Sequence, residues 1–147
     1  MTRADFDAEL AKHFPREANL ARGGTAAASS THREMDEPFT ALGGGRRHDT
    51  WSLDGPTGWF EAKWPQPLPA RFVLIFNRPS RGTGDAWEAG SVEVNGAVVA
   101  TFKAFVRGEV IVLDLGRTTD VRTLKVWIQG EHNPGISGLE VHGAPQE

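Results

Sequence analysis

Hydrophobic and polar residues alternate along much of the chain with the period of two that is typical of half-buried strands. The segment GWFEAKW (58–64) shows the pattern clearly. One side of it carries Phe60, Ala62 and Trp64, and the other carries Trp59, Glu61 and Lys63. This segment is therefore predicted to be a strand with one face toward a core.

The following segment, ARFVLIFN (70–77), is almost continuously apolar, which predicts a strand buried on both faces. Asn95-Gly96 separates two further apolar runs and is the strongest short signal for a hairpin turn. More strands are predicted over 109–116, 121–129 and 136–143. Gly- and Pro-rich stretches such as PQPLP and NRPSRGTGD are predicted to be loops. Together, these short strands and the loops between them predict an all-β fold, an antiparallel β-sandwich of jelly-roll type.

The first residues have a different period. Phe6, Leu10 and Phe14 recur every four residues, and Pro15 follows, which predicts a short helix whose apolar stripe docks onto the body. A role in a linker or a dimer contact is the alternative. We therefore expect a helical extension over 1–18 and a sandwich domain over 19–147.

Composition narrows the class of function. A length of 147 residues suits one domain, and the formal net charge of −3 offers no basic surface for nucleic acid. Cysteine is absent, which excludes disulfides and thiolate chemistry. No apolar run is long enough to span a membrane, and the first residues lack the apolar core of a signal peptide.

The stretch TALGGGRRHDTW (40–51) is the most conspicuous candidate for chemistry. A phosphate-binding loop needs Lys followed by Ser or Thr and then a helix, and neither follows here. His48-Asp49 has no nucleophile motif to complete a triad. The five histidines lack zinc-ligand spacing. The sequence therefore predicts that the chain is not an enzyme.

Tryptophan offers a second lead. Trp51, Trp59 and Trp64 are predicted to lie in the core, while the face of Trp127 is left open. Trp87 lies among glycines and charges in a predicted loop, near Arg78 and Asp85. An indole stacks on the apolar face of a pyranose while such polar side chains bind its hydroxyls. The alternative is that Trp87 folds back to close the end of the sandwich.

Four segments together resemble discoidin and coagulation factor C-type domains, the galactose-binding-like superfamily that includes the family-32 carbohydrate-binding modules. They are NLARGGTAAASSTH, TALGGGRRHDTW, GWFEAKWPQPLPARFVLIFNRPS and NPGISGLEVHG. Their order and spacing match over about residues 19–143. The resemblance implies an eight-stranded or similar jelly-roll sandwich that binds rather than catalyses.

Such domains often hold a structural calcium with loop carbonyls, an Asp of an Asp-Gly pair and the Glu of the last strand. Glu140 matches that Glu, whereas Gly43 replaces the Asp. Asp49, later in the same loop, is the implied substitute. The resemblance thus implies calcium at Asp49 and Glu140, unless this loop has dispensed with the ion.

The resemblance also implies sugar-binding positions. Sugar-binding members use an Arg after an FNR-like strand, a polar residue some positions later, and a His after the first strand. Arg78, Asp85 and His32 match these positions. The last loop carries Asn133 but no aromatic residue, so Trp87 is expected to supply the stacking.

The sequence therefore predicts a non-catalytic, lectin-like module that binds a glycan or polysaccharide through loops at one end of the sandwich. The alternative is a protein–protein interaction or structural accessory domain of a larger assembly or hydrolase. A fused or partner enzyme is an expected partner. The resemblance suggests an extracellular or cell-surface location, and a cytoplasmic one stays open.

Overall fold

The computed structural model describes residues 3–31, 51–77, 87–103, 110–130 and 134–144. Within these residues, one helix and a 3₁₀ turn precede seven strands. They are α1 (Arg3–His13), the turn Arg16–Ala18, β1 (Thr25–Ala28), β2 (Trp51–Ser52), β3 (Thr57–Asn77), β4 (Trp87–Val94), β5 (Ala97–Lys103), β6 (Val110–Gly130) and β7 (Gly135–His142). The strands pair antiparallel in the order β2-β7-β3-β6-β4-β5, and β1 also pairs with β3. The predicted antiparallel sandwich with a short N-terminal helix is confirmed.

Two long strands, β3 and β6, run through both layers of the sandwich. The first half of β3 pairs with β1 and with the second half of β6. β6 pairs in turn with β4, and β4 pairs with β5. We call these strands the first layer. The second half of β3 pairs with β7 and with the first half of β6, and β2 pairs with the other edge of β7. These strands form the second layer.

The sequence predicted separate strands where β3 and β6 are each continuous, and the prediction of a loop at PQPLP is wrong. Lys63 pairs with Thr123 and Leu68 with Val121, so residues 64–67 face a single residue of β6. The strand bulges at this point. Pro65 and Pro67 are tolerated here because they lie among the bulged residues, which have no register partner on β6.

The core lies between the two layers. The fully buried residues that alternate along the strands include Phe60, Ala62, Val73, Ile75, Val92, Leu124, Val126, Leu139 and Val141. Trp51 and Trp64 are buried among them, as predicted, and each satisfies its indole N–H. Trp51 Nε1 donates to the Ser30 carbonyl at 3.1 Å, and Trp64 Nε1 donates to the Ala21 carbonyl at 2.9 Å.

Helix α1 covers the outer face of the second layer. Leu10 is buried against Leu74 and Phe76, and Phe14 and Phe72 pack at the margin with ring centroids 5.2 Å apart. The predicted stripe therefore does contact the body at Leu10 and Phe14. The side chain of Phe6 lies outside the described side chains, and the boundary at residue 19 stays a prediction. No helix in the described ranges is long and apolar enough to cross a bilayer.

The predicted hairpin between β4 and β5 is present at Asn95-Gly96. Both residues have positive φ, 51° and 88°, as a type I′ turn requires. The Asn95 side chain also ties the turn to β6: Oδ1 accepts from the backbone N–H of Arg122 at 2.8 Å, and Nδ2 donates to the Asp120 carbonyl at 2.8 Å.

Candidate functional site

The strand ends of both layers meet at one end of the sandwich. In the second layer, Ile136 pairs with both Asn77 and Trp51. In the first layer, Gly130 pairs with Trp87 and its N–H donates to the Pro56 carbonyl at 2.8 Å. Only a few residues of chain separate Gly130 from Ile136, so these two groups of strand ends lie close together.

The end of β5 and the start of β6 also lie at this end of the sandwich. Lys103, the last residue of β5, pairs with Ala89, and Val110, the first residue of β6, pairs with Phe76. The segments 32–50, 78–86, 104–109 and 131–133 therefore all connect strands at this one end, which we call the loop end. The bulges of β3 and β6 lie at the opposite end.

The outer face of the first layer carries an ordered set of cross-strand rows. Trp59 of β3 pairs with Trp127 of β6, and Trp127 pairs with Ser91 of β4. Lys125 stands in the next row, toward the bulged end, between Glu61 and Glu93. Residues that are paired directly across strands project to the same face.

Charged residues of the adjacent row, Lys125 and Glu93, contact the two tryptophans of this face. Lys125 Nζ lies 4.6 Å from the ring centroid of Trp59 and 4.7 Å from that of Trp127, within cation–π range of both. The indole Nε1 of Trp127 donates to Glu93 Oε2 at 2.9 Å. The prediction that Trp59 lies in the core is wrong, because its side chain faces outward and is half-buried.

An open groove of about 580 Å³ lies beside these tryptophans, on the side toward the loop end. Its lining comes from three strands and the residue after β1, and includes Ser29, Thr57, Trp59, Ser91, Trp127 and Gln129. Every described lining residue is uncharged. Trp127 is 42% exposed, which settles the face that the sequence left open.

Comparison with known proteins identifies the fold. No family model matches the chain, and no curated protein matches it. Among solved structures, the family 32 carbohydrate-binding module of C. perfringens NanJ, in complex with galactose, aligns with a TM-score of 0.70 at 20% identity, covering 82% of this chain and 94% of that one. The chain has the galactose-binding-like, discoidin-type fold.

Two further structures share this galactose-binding-like fold. A Streptococcus pneumoniae fucose-binding module, SpX-3, aligns with a TM-score of 0.69 at 15% identity, over 86% of this chain and 98% of that one. The fucolectin of striped bass, Morone saxatilis, aligns with a TM-score of 0.71 at 17% identity, over 86% of this chain and 48% of that one. At such identities the likeness establishes the fold.

Most of the predicted sugar-binding residues lie outside the described residues. These are His32, Arg78, Asp85 and Asn133. Each belongs to a segment whose described flanks reach the loop end. Trp87 was predicted in a loop, but its backbone begins β4 because it pairs with Gly130. Its side chain lies outside the described side chains.

The predicted calcium ligands are only partly described. Asp49 lies outside the described residues. Glu140 is buried in β7, and its Oε1 lies 2.8 Å from Nε2 of His142, which is also buried. Glu140 pairs with Leu74, so its side chain projects to the helix-covered face. No group of three or more His, Asp or Glu residues that could hold a metal occurs in the described ranges. Calcium at Asp49 and Glu140 stays a prediction.

An exposed ion pair stabilises the bent part of the second layer. Arg71 Nε donates to Asp114 Oδ1 at 2.6 Å, and Nη2 donates to Oδ2 at 3.2 Å. Asp114 Oδ1 also accepts from the Gly116 N–H at 2.7 Å, where Gly116 has a φ of 82°. The hydrogen bond from Arg71, and secondly that from Gly116, lowers the pKa of Asp114. Arg71 is therefore ion-paired with Asp114.

Proposed function

We propose that this chain is a non-catalytic carbohydrate-binding module that holds a glycan at its loop end. The observation that carries the proposal is the convergence of four connecting segments on one end of a rigid sandwich. Binding residues are concentrated on loops that such scaffolds position. Structures with this fold include a module in complex with galactose and a fucose-binding module, which supports a sugar as the ligand.

In the proposed mechanism, Arg78 and Asp85 hydrogen-bond sugar hydroxyls and Trp87 stacks on the apolar face of the ring. Arginine presents a planar set of donors, and a carboxylate accepts from two hydroxyls. His32 and Asn133 complete the polar set. Their segments all connect strands at the loop end, which supports their assembly into one site. A shallow polar site of this kind gives weak single-site affinity.

The absence of catalysis is part of the proposal. Glu140 and His142 are the kind of pair that can transfer protons, but both side chains are buried on the face covered by α1. A catalytic acid or base must come within hydrogen-bond reach of its substrate. A fused or partner enzyme would therefore supply any hydrolysis, and this module would hold the polysaccharide.

A glycan array tests the proposal with wild-type protein, Trp87→Ala and Arg78→Ala. We expect wild-type binding to a subset of glycans and a loss of at least tenfold in both variants. Arg117→Ala removes an exposed arginine near the bulged end and is the matched control, with binding unchanged. Binding by no glycan would contradict the proposal and favour the alternative of a protein-interaction domain. Binding that both variants retain would contradict the residue assignment.

A further inference from the structure

We propose that the groove on the outer face of the first layer is a second sugar subsite, which takes an uncharged ring of an extended glycan. The inference rests on the proposed function and extends it from a terminal sugar to a chain of sugars. Trp59 and Trp127 form the stacking surface. Ser29, Thr57, Ser91 and Gln129 supply the polar groups of the groove.

The first argument is that the two indoles are fixed before any ligand arrives. Lys125 lies within 5 Å of both ring centroids, and Glu93 accepts the indole N–H of Trp127. Both contacts come from the row on the side of the tryptophans opposite the groove. The N–H of Trp127 is thus already satisfied, and the ring offers the groove an apolar surface with little entropy left to lose on binding.

The second argument is that the core does not require these indoles. Phe60, Val126 and Val92, which alternate with the outward residues of the same three strands, are fully buried members of the core. Trp127 nevertheless leaves 42% of its surface in solvent. An exposed aromatic surface that borders a groove indicates a binding role more strongly than a scattered apolar residue does.

The third argument concerns the chemistry of the occupant. The groove lining has no charged side chain in the described residues, although charged residues stand in the adjoining row. The Ser29 hydroxyl is held in place because its Oγ accepts from the Trp59 backbone N–H at 3.0 Å. An apolar wall with hydroxyl and amide groups around it matches a pyranose, which has an apolar face and a hydroxyl rim. The absence of charge favours a neutral sugar over an acidic one.

The fourth argument is continuity with the loop end. Ala89 pairs with Gln129 at the edge of the groove, and Trp87 pairs with Gly130 in the next position. The groove therefore begins where β4 and β6 reach the loop end. A glycan held at the loop end would reach the groove with its neighbouring rings.

NMR of the indole N–H groups tests the inference on the full chain. The five tryptophan signals are assigned with single Trp→Phe variants, and the protein is titrated with galactose, fucose, chitin oligosaccharides and the Lewis b oligosaccharide. We expect at least one of the oligosaccharides to shift the signals of Trp59 and Trp127. Trp127→Ala should weaken that binding about three- to tenfold. Trp127→Phe, which keeps a ring, should retain most of it.

Val112→Ala is the matched control, because Val112 is 43% exposed and lies in the second layer, and it should bind as the wild type does. Arg78→Ala separates the two sites. Shifts at Trp59 and Trp127 that persist in this variant support the groove even if loop-end binding is lost. Shifts at Trp87 alone would overturn the second subsite and leave the proposed function standing. No shift with any of the four sugars would overturn both.

Discussion

The carboxylate of Glu140 and the imidazole of His142 lie 2.8 Å apart on β7, and both side chains are almost completely buried. Phe14 closes over this pair, with its ring centroid 5.3 Å from that of His142. The pair thus lies where the helix meets the second layer. A buried polar group that loses its partner bears a desolvation cost that nothing offsets.

Glu140→Ala removes the acceptor of His142 and should lower the free energy of unfolding by about 3 kcal/mol. Glu140→Gln keeps a carbonyl oxygen of the same shape and should cost less than half as much. Urea denaturation at neutral pH measures both. Equal losses in the two variants would show that packing, rather than the hydrogen bond, stabilises this position.

Calcium should raise the midpoint of thermal unfolding if Asp49 and Glu140 hold the ion. A ligand that binds only the native state stabilises it by mass action, so millimolar calcium should shift the midpoint upward and a chelator should reverse the shift. Asp49→Ala should abolish the response without touching the buried pair. An unchanged midpoint in wild-type protein would show that Asp49 and Glu140 do not bind calcium.

The Arg71–Asp114 pair should make stability fall in acid. Because the hydrogen bond from Arg71 lowers the pKa of Asp114 below its ordinary value of 3.8, the native state holds the charged carboxylate more strongly than the unfolded chain does. The resulting stabilisation is present above that ordinary pKa and is lost as pH falls through the lower native value. Urea midpoints between pH 5 and about pH 2 should therefore fall less steeply in Asp114→Asn.

Asp120→Asn is the control for this titration, because Asp120 is an exposed aspartate of the same strand. It should retain the wild-type slope. Asp114 is exposed and Arg71 is half-buried, so high salt should reduce the difference between Asp114→Asn and wild type. A slope in Asp114→Asn that equals that of the wild type at low salt would contradict the prediction.

Asn95 contributes to the β4–β5 hairpin in two separable ways, through its positive φ and through its side-chain hydrogen bonds to β6. Asn95→Gly should lose only the hydrogen bonds, at about 1 kcal/mol, whereas Asn95→Ala should lose about 1 kcal/mol more because alanine is strained at this φ. Thermal and urea unfolding of the two variants give the comparison. Alanine that is no worse than glycine would contradict the role of the turn geometry.

The alternation of apolar and polar residues along the strands predicted side-chain orientation better than the general preferences of individual residue types did. The pattern around Phe60 placed Trp59 on the side of Glu61 and Lys63, and the structure confirms that orientation. The expectation of a buried Trp59 failed because it rested on the general preference of tryptophan for the core. The groove could have been predicted from the period of two in β3 and β6, given their register.

Other features could not be predicted from local sequence. Three prolines near residue 67 indicated a loop, whereas the structure has a bulge within one strand. A bulge can be recognised only when the register with the partner strand is known. The position of Glu140 beneath α1 depends on long-range pairing of β7 with β3. Which residues of the second layer face the core and which face α1 is likewise set by tertiary contacts.

The two bent strands also bear on how such a domain diversifies. Because β3 and β6 each return to the end from which they start, the ladder that unites the two layers closes without any of the four connecting segments. Insertions or substitutions in those segments therefore leave the pairing of β3 with β6 intact. New ligand preferences can arise there by mutation while the scaffold keeps its stability, so relatives with very little common sequence can retain one architecture.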